Sequence, residues 1–489
     1  MINRYKESLI VLSLVAVYSF FFLLYSPLHP WANYAATSDS SVFKTVALMM
    51  QKGYMPYKDS FDHKGPLLYI INWIGNQISY YRGVWVIEYG FMICTFYLMY
   101  KIARFQVKPL SAALTTLIST SLLFQYFDEG NLTEEYAMLF IAVGIYIFLD
   151  YFKNGVISPT RLAISGFCFG AVALLRLNMI ALWIAFCIAV FFDIVVKKEW
   201  RKLGKFVGWF SIGAAVIFVP IVIWLAANGA LEQCWKDYIV FNLIYTSAED
   251  KPAKWSSFFT FVNTKVFILA LVGILYNLRN RVYFNATYFI SMILSLLLCC
   301  MAGRTYGHYG MVLVPLVAYP VSLVFQNMES IENAETSKMI GVILVVYALS
   351  AIIVPSEIEW IKRIPAQYQV RNGDGLIEFH DLTNMITEYT GENDAISVYG
   401  NIDCVYVLSQ RKHATRYSYQ FPVGEVMPEI LDEYFAQLAE ELPPLIIVTS
   451  EHSDDRILDF LKENNYSYIW GGQDGDMLEG RFMVYSRQS

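Results

Sequence analysis

Eleven apolar runs recur along the 489 residues, at roughly 8–28, 84–101, 109–126, 134–152, 161–176, 178–196, 205–227, 258–278, 284–302, 309–327 and 339–355. Each is long enough, or nearly so, to cross the hydrocarbon core of a bilayer as a helix, which takes about 20 residues. A chain crossing lipid must satisfy its own backbone hydrogen bonds, so runs of this length read as helices and not as open strands. The expectation is a polytopic α-helical membrane protein with about eleven transmembrane helices. Composition agrees: 56% of residues are hydrophobic and only 16% are charged, against about a quarter charged in globular domains. The net charge of −6 gives no reason to expect nucleic-acid binding, which needs clustered positive charge.

The N-terminus, MINRYKESLIVLSLVAVYSFFFLLYSPL, has a short basic start and an apolar run of spanning length. It lacks a small-residue cleavage site, so it reads as an uncleaved first helix. Basic residues then assign the faces. With a cytoplasmic N-terminus, the cytoplasmic connections carry Arg4 and Lys6; Lys101, Arg104 and Lys108; Lys153 and Arg161; Lys197 to Lys205; Arg279 and Arg281; and Lys338. Every one is basic, provided 161–196 counts as two passes turning near Arg176 and Asn178. The 29–83 loop, the 127–133 turn, the Arg176 turn, the 228–257 loop, the 303–308 turn and everything after 356 then face outward from the plasma membrane.

The chain accordingly divides into a membrane part, 1–355, with a large first outer loop at 29–83, and an extracytoplasmic soluble α/β domain, 356–489. In the latter, NDAISVYGN (393–401), PPLIIVTS (443–450) and RFMVYSR (481–487) read as strands. Helices are expected at 425–442 and 457–465, and strands alternating with helices indicate an α/β layer structure. GGQDGD (471–476) reads as a turn and not as a nucleotide loop. The seven cysteines fall mostly in apolar runs and show no metal spacing, Cys404 alone lying in polar sequence, so they read as small core residues.

Ionisable residues gather on the outward side. In the first loop, Ser38 or Asp39 can cap a helix over roughly 40–52. Phe43, Val46, Ala47 and Met50 give that helix an apolar stripe, so it is expected to lie along the membrane surface. The loop returns through SFDHKGPLLYI (60–70), which sets Asp62, His63 and Lys64 side by side before Pro66. A lysine at a helix start gains nothing from the helix dipole unless an anion sits beside it, where both would bind it. Glu134 and Glu135 open an apolar helix, and Arg176 lies inside LLRLNM, where an arginine at membrane depth points to function. Arg304, Tyr306, His308 and Tyr309 share another outer turn. Ordinary interfacial decoration explains the tyrosines and one or two charges, but not Asp, His, Lys, Glu and Arg gathered on one face. In the tail, Arg416, Tyr417 and Tyr419 are exposed-looking candidates for acceptor binding, although a β-edge accounts for them equally.

Asp39-Ser-Ser-Val-Phe with its following helix, and then YKDSFDHKGPLLY (57–69), resemble the first outer loop of GT-C membrane glycosyltransferases. They are most similar to bacterial relatives of protein O-mannosyltransferases and aminoarabinose transferases. NLTEEYAML (131–139) and RTYGHYGMVLVP (304–315) resemble helix starts of the same family, and the resemblance covers roughly residues 1–330. It implies transfer of a sugar from a polyprenyl-phosphate carrier to an acceptor outside the membrane. The family's essential first-loop acid maps to Asp39, and the lysine that contacts the lipid phosphate maps to Lys64. Many relatives carry an acidic residue and Pro-Pro around that lysine; here His63, Gly65 and Pro66 stand there, so Asp62 can take the acidic role.

The expected reaction is direct displacement at the anomeric carbon, which inverts it if there is one displacement; retention through a covalent carboxylate intermediate stays open. Asp39 or Asp62 would act as the catalytic acid–base group. Lys64, Arg176 and Arg304 would stabilise charge on the leaving phosphate. Tyr306, His308, Tyr309, His63, Glu134 and Glu135 would hold sugar or phosphate, or Asp62, His63 and Glu135 a divalent cation. The implied partners are a polyprenyl-phosphate sugar, a glycan or protein acceptor and membrane lipid. A transporter or flippase of lipid-linked sugar, a glycan polymerase or ligase of another membrane fold, and a receptor-like structural protein stay open. No internal repeat supports the transporter.

Overall fold

The computed structural model describes residues 2–31, 39–155, 158–248, 251–301, 303–372, 374–471 and 482–488. All eleven apolar runs coincide with helical chain. Among the described residues, seven helices are long and apolar enough to cross a membrane: Tyr5–Tyr25, Gly83–Ala103, Thr133–Asn154, Trp200–Ala227, Val282–Cys300, Gly307–Glu329 and Ala334–Pro365. An eighth arises if Lys251–Val262 and Lys265–Tyr276, bent by 83° at their junction, count as one span. The remaining runs are shorter helices. The 161–196 pair is present as Pro159–Leu175 and Ala181–Val196, separated where Arg176 leaves the helix with extended backbone angles. The 109–126 run breaks between Pro109–Thr120 and Leu123–Tyr126.

Local chemistry explains the boundaries. Pro66, Pro109 and Pro159 each open a helix, where the missing N–H costs nothing. Thr264 caps Lys265–Tyr276 by accepting from Phe267 N–H at 3.1 Å, and this fresh start defines the bend. Gly155 closes Thr133–Asn154 in the left-handed region that glycine reaches without strain.

By contacts the chain forms two compact units, neither continuous in sequence. The first comprises Met1–Leu24, Val86–Val222 and Glu249–Ile364; the second comprises Tyr25–Trp85, Ile223–Ala248 and Pro365–Ser489. The first unit is helical. Its helices Pro159–Leu175 and Trp200–Ala227 approach through Gly166 and Gly213, where a side chain would overlap the facing carbonyls of Phe210 and Ala163. Small residues at such crossings let backbones pack where lipid provides no hydrophobic drive between helices.

The second unit joins the first loop to the C-terminal chain. Its mixed sheet has five strands: β1 (Ala395–Tyr399), β2 (Lys412–His413), β3 (Leu445–Thr449), β4 (Tyr466–Gly471) and β5 (Phe482–Arg487). The order is β2-β1-β3-β5-β4, with β1 parallel to β2 and β3, and β5 antiparallel to β3 and β4. Every residue of β3 is buried, as expected of a central strand. Ile396, Val398, Leu445, Ile447 and Val484 pack against Leu382 and Ile386 of the Asp374–Tyr389 helix. The strands expected at 393–401, 443–450 and 481–487 are present, as are helices Glu429–Glu441 and Asp455–Glu463. Most of GGQDGD, like Ser38, lies outside the described residues.

The first-loop helix spans Asp39–Gln51. Ten of its residues, Ser40 to Met49, are buried, because it packs against Pro66–Ile78 and Cys404–Ser409. Lys44, off the expected apolar stripe, is buried too. Its Nζ donates to Asn76 Oδ1 at 2.8 Å and to Tyr80 O at 2.6 Å, which satisfies the buried ammonium.

Candidate functional site

Asp62, His63 and Lys64 form a connected row in the second unit. Asp62 is 2% exposed. Its Oδ2 accepts from Tyr69 Oη at 2.8 Å, and its Oδ1 from Tyr419 Oη at 2.9 Å and from His63 N–H at 2.7 Å. Burial raises its pKa, opposed by Lys64 and by these donors. Lys64 Nζ donates to His63 Nε2 at 2.8 Å and stands 3.9 Å from Asp39 Oδ2. With Nε2 accepting from an ammonium, the proton of a neutral imidazole sits on Nδ1, which faces Asp62 Oδ1 at 3.7 Å. Acid, imidazole, ammonium and second acid are thus in series. The ring of His63 stacks on Phe241, and Asn242 Nδ2 donates to its carbonyl at 2.7 Å.

The loop carrying this row is held from several sides. Tyr57 adopts a left-handed conformation (φ 67°), a strained choice for a large side chain that persists only where its surroundings over-determine it. Its N–H donates to Ser60 O, its Oη to Lys64 O, and its carbonyl accepts from Arg416 Nε. Arg416 also pairs with Asp237 and receives Phe61 N–H on its own carbonyl. Burial raises Asp237 to about 6, with Arg416 opposing. His413 accepts from Ser60 Oγ at 3.0 Å while its Nδ1 contacts Thr415 O. Burial lowers it to about 4, so it serves as a neutral clamp. Tyr417 and Tyr419 are therefore buried, and Arg416 partly buried, against the first loop, contrary to their expected exposure.

Asp403 belongs to the same unit and escaped the sequence reading. Its carbonyl accepts from Thr45 Oγ1 of the Asp39–Gln51 helix at 3.2 Å. Its carboxylate is buried beside the Ser418 hydroxyl. Burial raises it to about 7, and the charges of Asp62 and Asp39 add to that.

A second set lies in the first unit. Arg176 Nη1 meets Glu134 Oε1 at 2.5 Å, and its guanidinium lies 4.3 Å from the centre of the Tyr309 ring. Thr133 Oγ1 donates to the other Glu134 oxygen at 2.7 Å. His308 packs edge-on to Tyr309 and parallel to Tyr306, with Nδ1 3.7 Å from Asp128 Oδ2. Arg304 enters this turn by its carbonyl, which accepts from Ser257 Oγ at 2.9 Å.

Glu135 does not join this set. Neighbouring helix positions point about 100° apart, and its Oε2 accepts from Asn131 N–H at 2.8 Å, a donor shared with Glu88 Oε1 at 2.5 Å. Glu88 was missed by the sequence reading, although a carboxylate inside an apolar helix is itself a signal. Of the expected cation set, Asp62 and His63 lie in the second unit and Glu135 in the first. Asp62 accepts from three donors, His63 Nε2 from Lys64 and Glu135 Oε2 from Asn131. Among the described residues no three His, Cys, Asp or Glu side chains converge to hold a metal ion.

No family model and no curated protein matches this sequence. Solved structures do. ArnT from Cupriavidus metallidurans bound to undecaprenyl phosphate is similar with a TM-score of 0.62 at 12% identity, covering 98% of this chain and 97% of that one. The archaeal oligosaccharyltransferase AglB from Archaeoglobus fulgidus, in complex with an inhibitory peptide and a dolichol-phosphate, is similar with a TM-score of 0.51 at 11% identity. That match covers 99% of this chain and 74% of the other.

Proposed function

The fold is that of GT-C membrane glycosyltransferases, and from it we propose that the chain transfers a sugar from a polyprenyl-phosphate donor to an acceptor hydroxyl outside the membrane. The observation that carries this reading is the approach of Lys64 Nζ to Asp39 Oδ2, 3.9 Å apart. It sets a cation and a half-exposed carboxylate together at the start of the Pro66–Ile78 helix, where the dipole favours an anion. Support comes from the lipid phosphates named with ArnT and AglB.

In this mechanism the acceptor oxygen attacks the anomeric carbon while the bond from that carbon to the phosphate oxygen breaks. The hydroxyl proton passes to Asp39, and polyprenyl phosphate leaves with the bonding electrons. Lys64 stabilises the charge that develops there. One displacement inverts the anomeric configuration. Asp62, with its oxygens engaged, acts as a positioning residue that holds His63 and Lys64 in line. The N-terminus is assigned to the cytoplasm, and the first loop and C-terminal domain to the outer side. No step is routed through a metal ion.

Sugar transfer from radiolabelled polyprenyl-phosphate sugars, measured with purified protein in membranes, tests the reading. Asp39→Asn is expected to lower turnover by about 10²- to 10⁴-fold, and Lys64→Ala by about 10²- to 10³-fold. Transfer that survives both substitutions in folded protein overturns the mechanism.

A further inference from the structure

The first unit contains a polar cavity of about 200 Å³ that the transfer mechanism does not use. It lies where the Val282–Cys300 helix begins and the Gly307–Glu329 helix ends. The Arg304–Tyr309 turn lies beyond the far end of Val282–Cys300. That helix has 19 residues, so roughly 28 Å separates the two places, about one hydrocarbon thickness.

The wall combines a rigid backing with free donors. Asn285 Nδ2 donates to the carbonyls of Asn277 and Asn280, Asn277 Nδ2 donates to Gly273 O, and Tyr319 Oη donates to Asn285 Oδ1 at 2.7 Å. These groups are satisfied and hold their shape. In front of them stand Gln106, Gln326, Asn327 and Arg281. Among the described residues their side-chain heads have no hydrogen-bond or ion-pair partner, and Gln106 Nε2 is buried in that condition, a cost a native structure carries only where something satisfies it.

Among the described residues, Arg281 is the one charged side chain in the cavity's lining. No carboxylate lines it. Glu329, close by in sequence, is engaged by Ser111 Oγ at 2.6 Å and by Lys108 N–H. Arg281 lies within electrostatic range of Lys153, whose Nζ donates to Phe105 O beside Gln106 at 2.8 Å. Two cations that repel each other beside several unused N–H donors suit an anion. Guanidinium and amide N–H groups match phosphate oxygens, and the amide carbonyls accept from hydroxyls.

The geometry points to a second ligand site here, for a phosphate group with neighbouring hydroxyls, at the end of the first unit opposite the Arg304–Tyr309 turn. That chemistry is shared by an anionic phospholipid headgroup and by a soluble polyol phosphate.

The test uses full-length protein. In one arm it is placed in nanodiscs of phosphatidylcholine with and without phosphatidylglycerol, and bound lipid is counted by native mass spectrometry. In the other, delipidated protein in detergent is titrated with glycerol 3-phosphate and its thermal shift is followed. Saturable binding of either probe is expected, weakened by about tenfold or more in Arg281→Gln and in Gln326→Leu, as loss of a charge-assisted or buried hydrogen bond requires. Binding in the first arm alone assigns a lipid headgroup, and binding in the second assigns a soluble phosphate. If Arg281→Gln fails to fold, Gln326→Leu carries the comparison. Binding of neither probe, or binding unchanged by the substitutions that fold, overturns the proposal.

Discussion

Tyr419 Oη, 357 positions further along the chain, donates to Asp62 Oδ1 at 2.9 Å. The C-terminal chain thereby completes the environment of a first-loop carboxylate, and the tail is part of the machinery that fixes the Asp62-His63-Lys64 row.

Tyr419→Phe removes that donor and leaves the carboxylate with Tyr69 Oη and His63 N–H. The expected loss is about 1–3 kcal/mol of stability, the range for a buried group deprived of one partner. Chemical denaturation of the purified protein measures it. If Asp62 acts through Lys64, kcat falls while KM for the donor changes little. Equal kinetics in the wild type and the variant would reduce Tyr419 to a packing residue.

Arg416 and Asp237 are a buried ion pair, so breaking one side leaves an uncompensated charge. Arg416→Ala is expected to cost about 3–5 kcal/mol. Arg416→Ala combined with Asp237→Asn should recover part of it, giving a coupling of about 0.5–3 kcal/mol in a double-mutant cycle. Arg416→Lys should rescue incompletely, because an ammonium cannot donate to Asp237, Tyr57 O and Tyr417 Oη in one plane. Additive single effects would show that the pair is not coupled.

Asp403 has a pKa raised from an ordinary 3.8 to about 7. Between those values the folded protein binds more protons at this position than the unfolded chain, so its contribution makes stability fall as pH rises from about 4 to about 7. His413, lowered from 6.5 to about 4, acts in the opposite sense and loses its contribution as pH falls through that interval. Unfolding free energies of Asp403→Asn minus wild type should therefore grow more favourable to the variant as pH rises from 4 to 7. A difference independent of pH would refute the assignment.

Glu134 and Arg176 make the corresponding pair in the helical unit, 2.5 Å apart. Glu134→Gln is expected to destabilise more than Glu134→Gln with Arg176→Gln, because the single change strands a guanidinium in a low-dielectric region. Thermal denaturation in one detergent, read for all four proteins, decides the order. A double variant less stable than both singles would contradict it.

Much of this architecture is written locally. The helices of the membrane part follow from apolar runs, and helix ends follow from Pro66, Pro159, Thr264 and Gly155 acting on their own neighbours. The strands at 395–399, 445–449 and 482–487 follow from short apolar stretches. The Asp62-His63-Lys64 row and Asp39 were legible because one loop carries them all, and the pairing of Glu134 with Arg176 was at least foreshadowed by two charges in apolar sequence. What the chain could not announce is which distant group each charge would meet. Lys44 looks like a solvated residue until Asn76 and Tyr80 surround it. Tyr419 and Arg416 look exposed until the first loop covers them, and Asp403 is unremarkable until burial takes its carboxylate out of water. Helices and turns depend on neighbours a few residues away. The fate of a charge depends on dielectric and on partners supplied by elements hundreds of residues apart, and only the tertiary structure determines those.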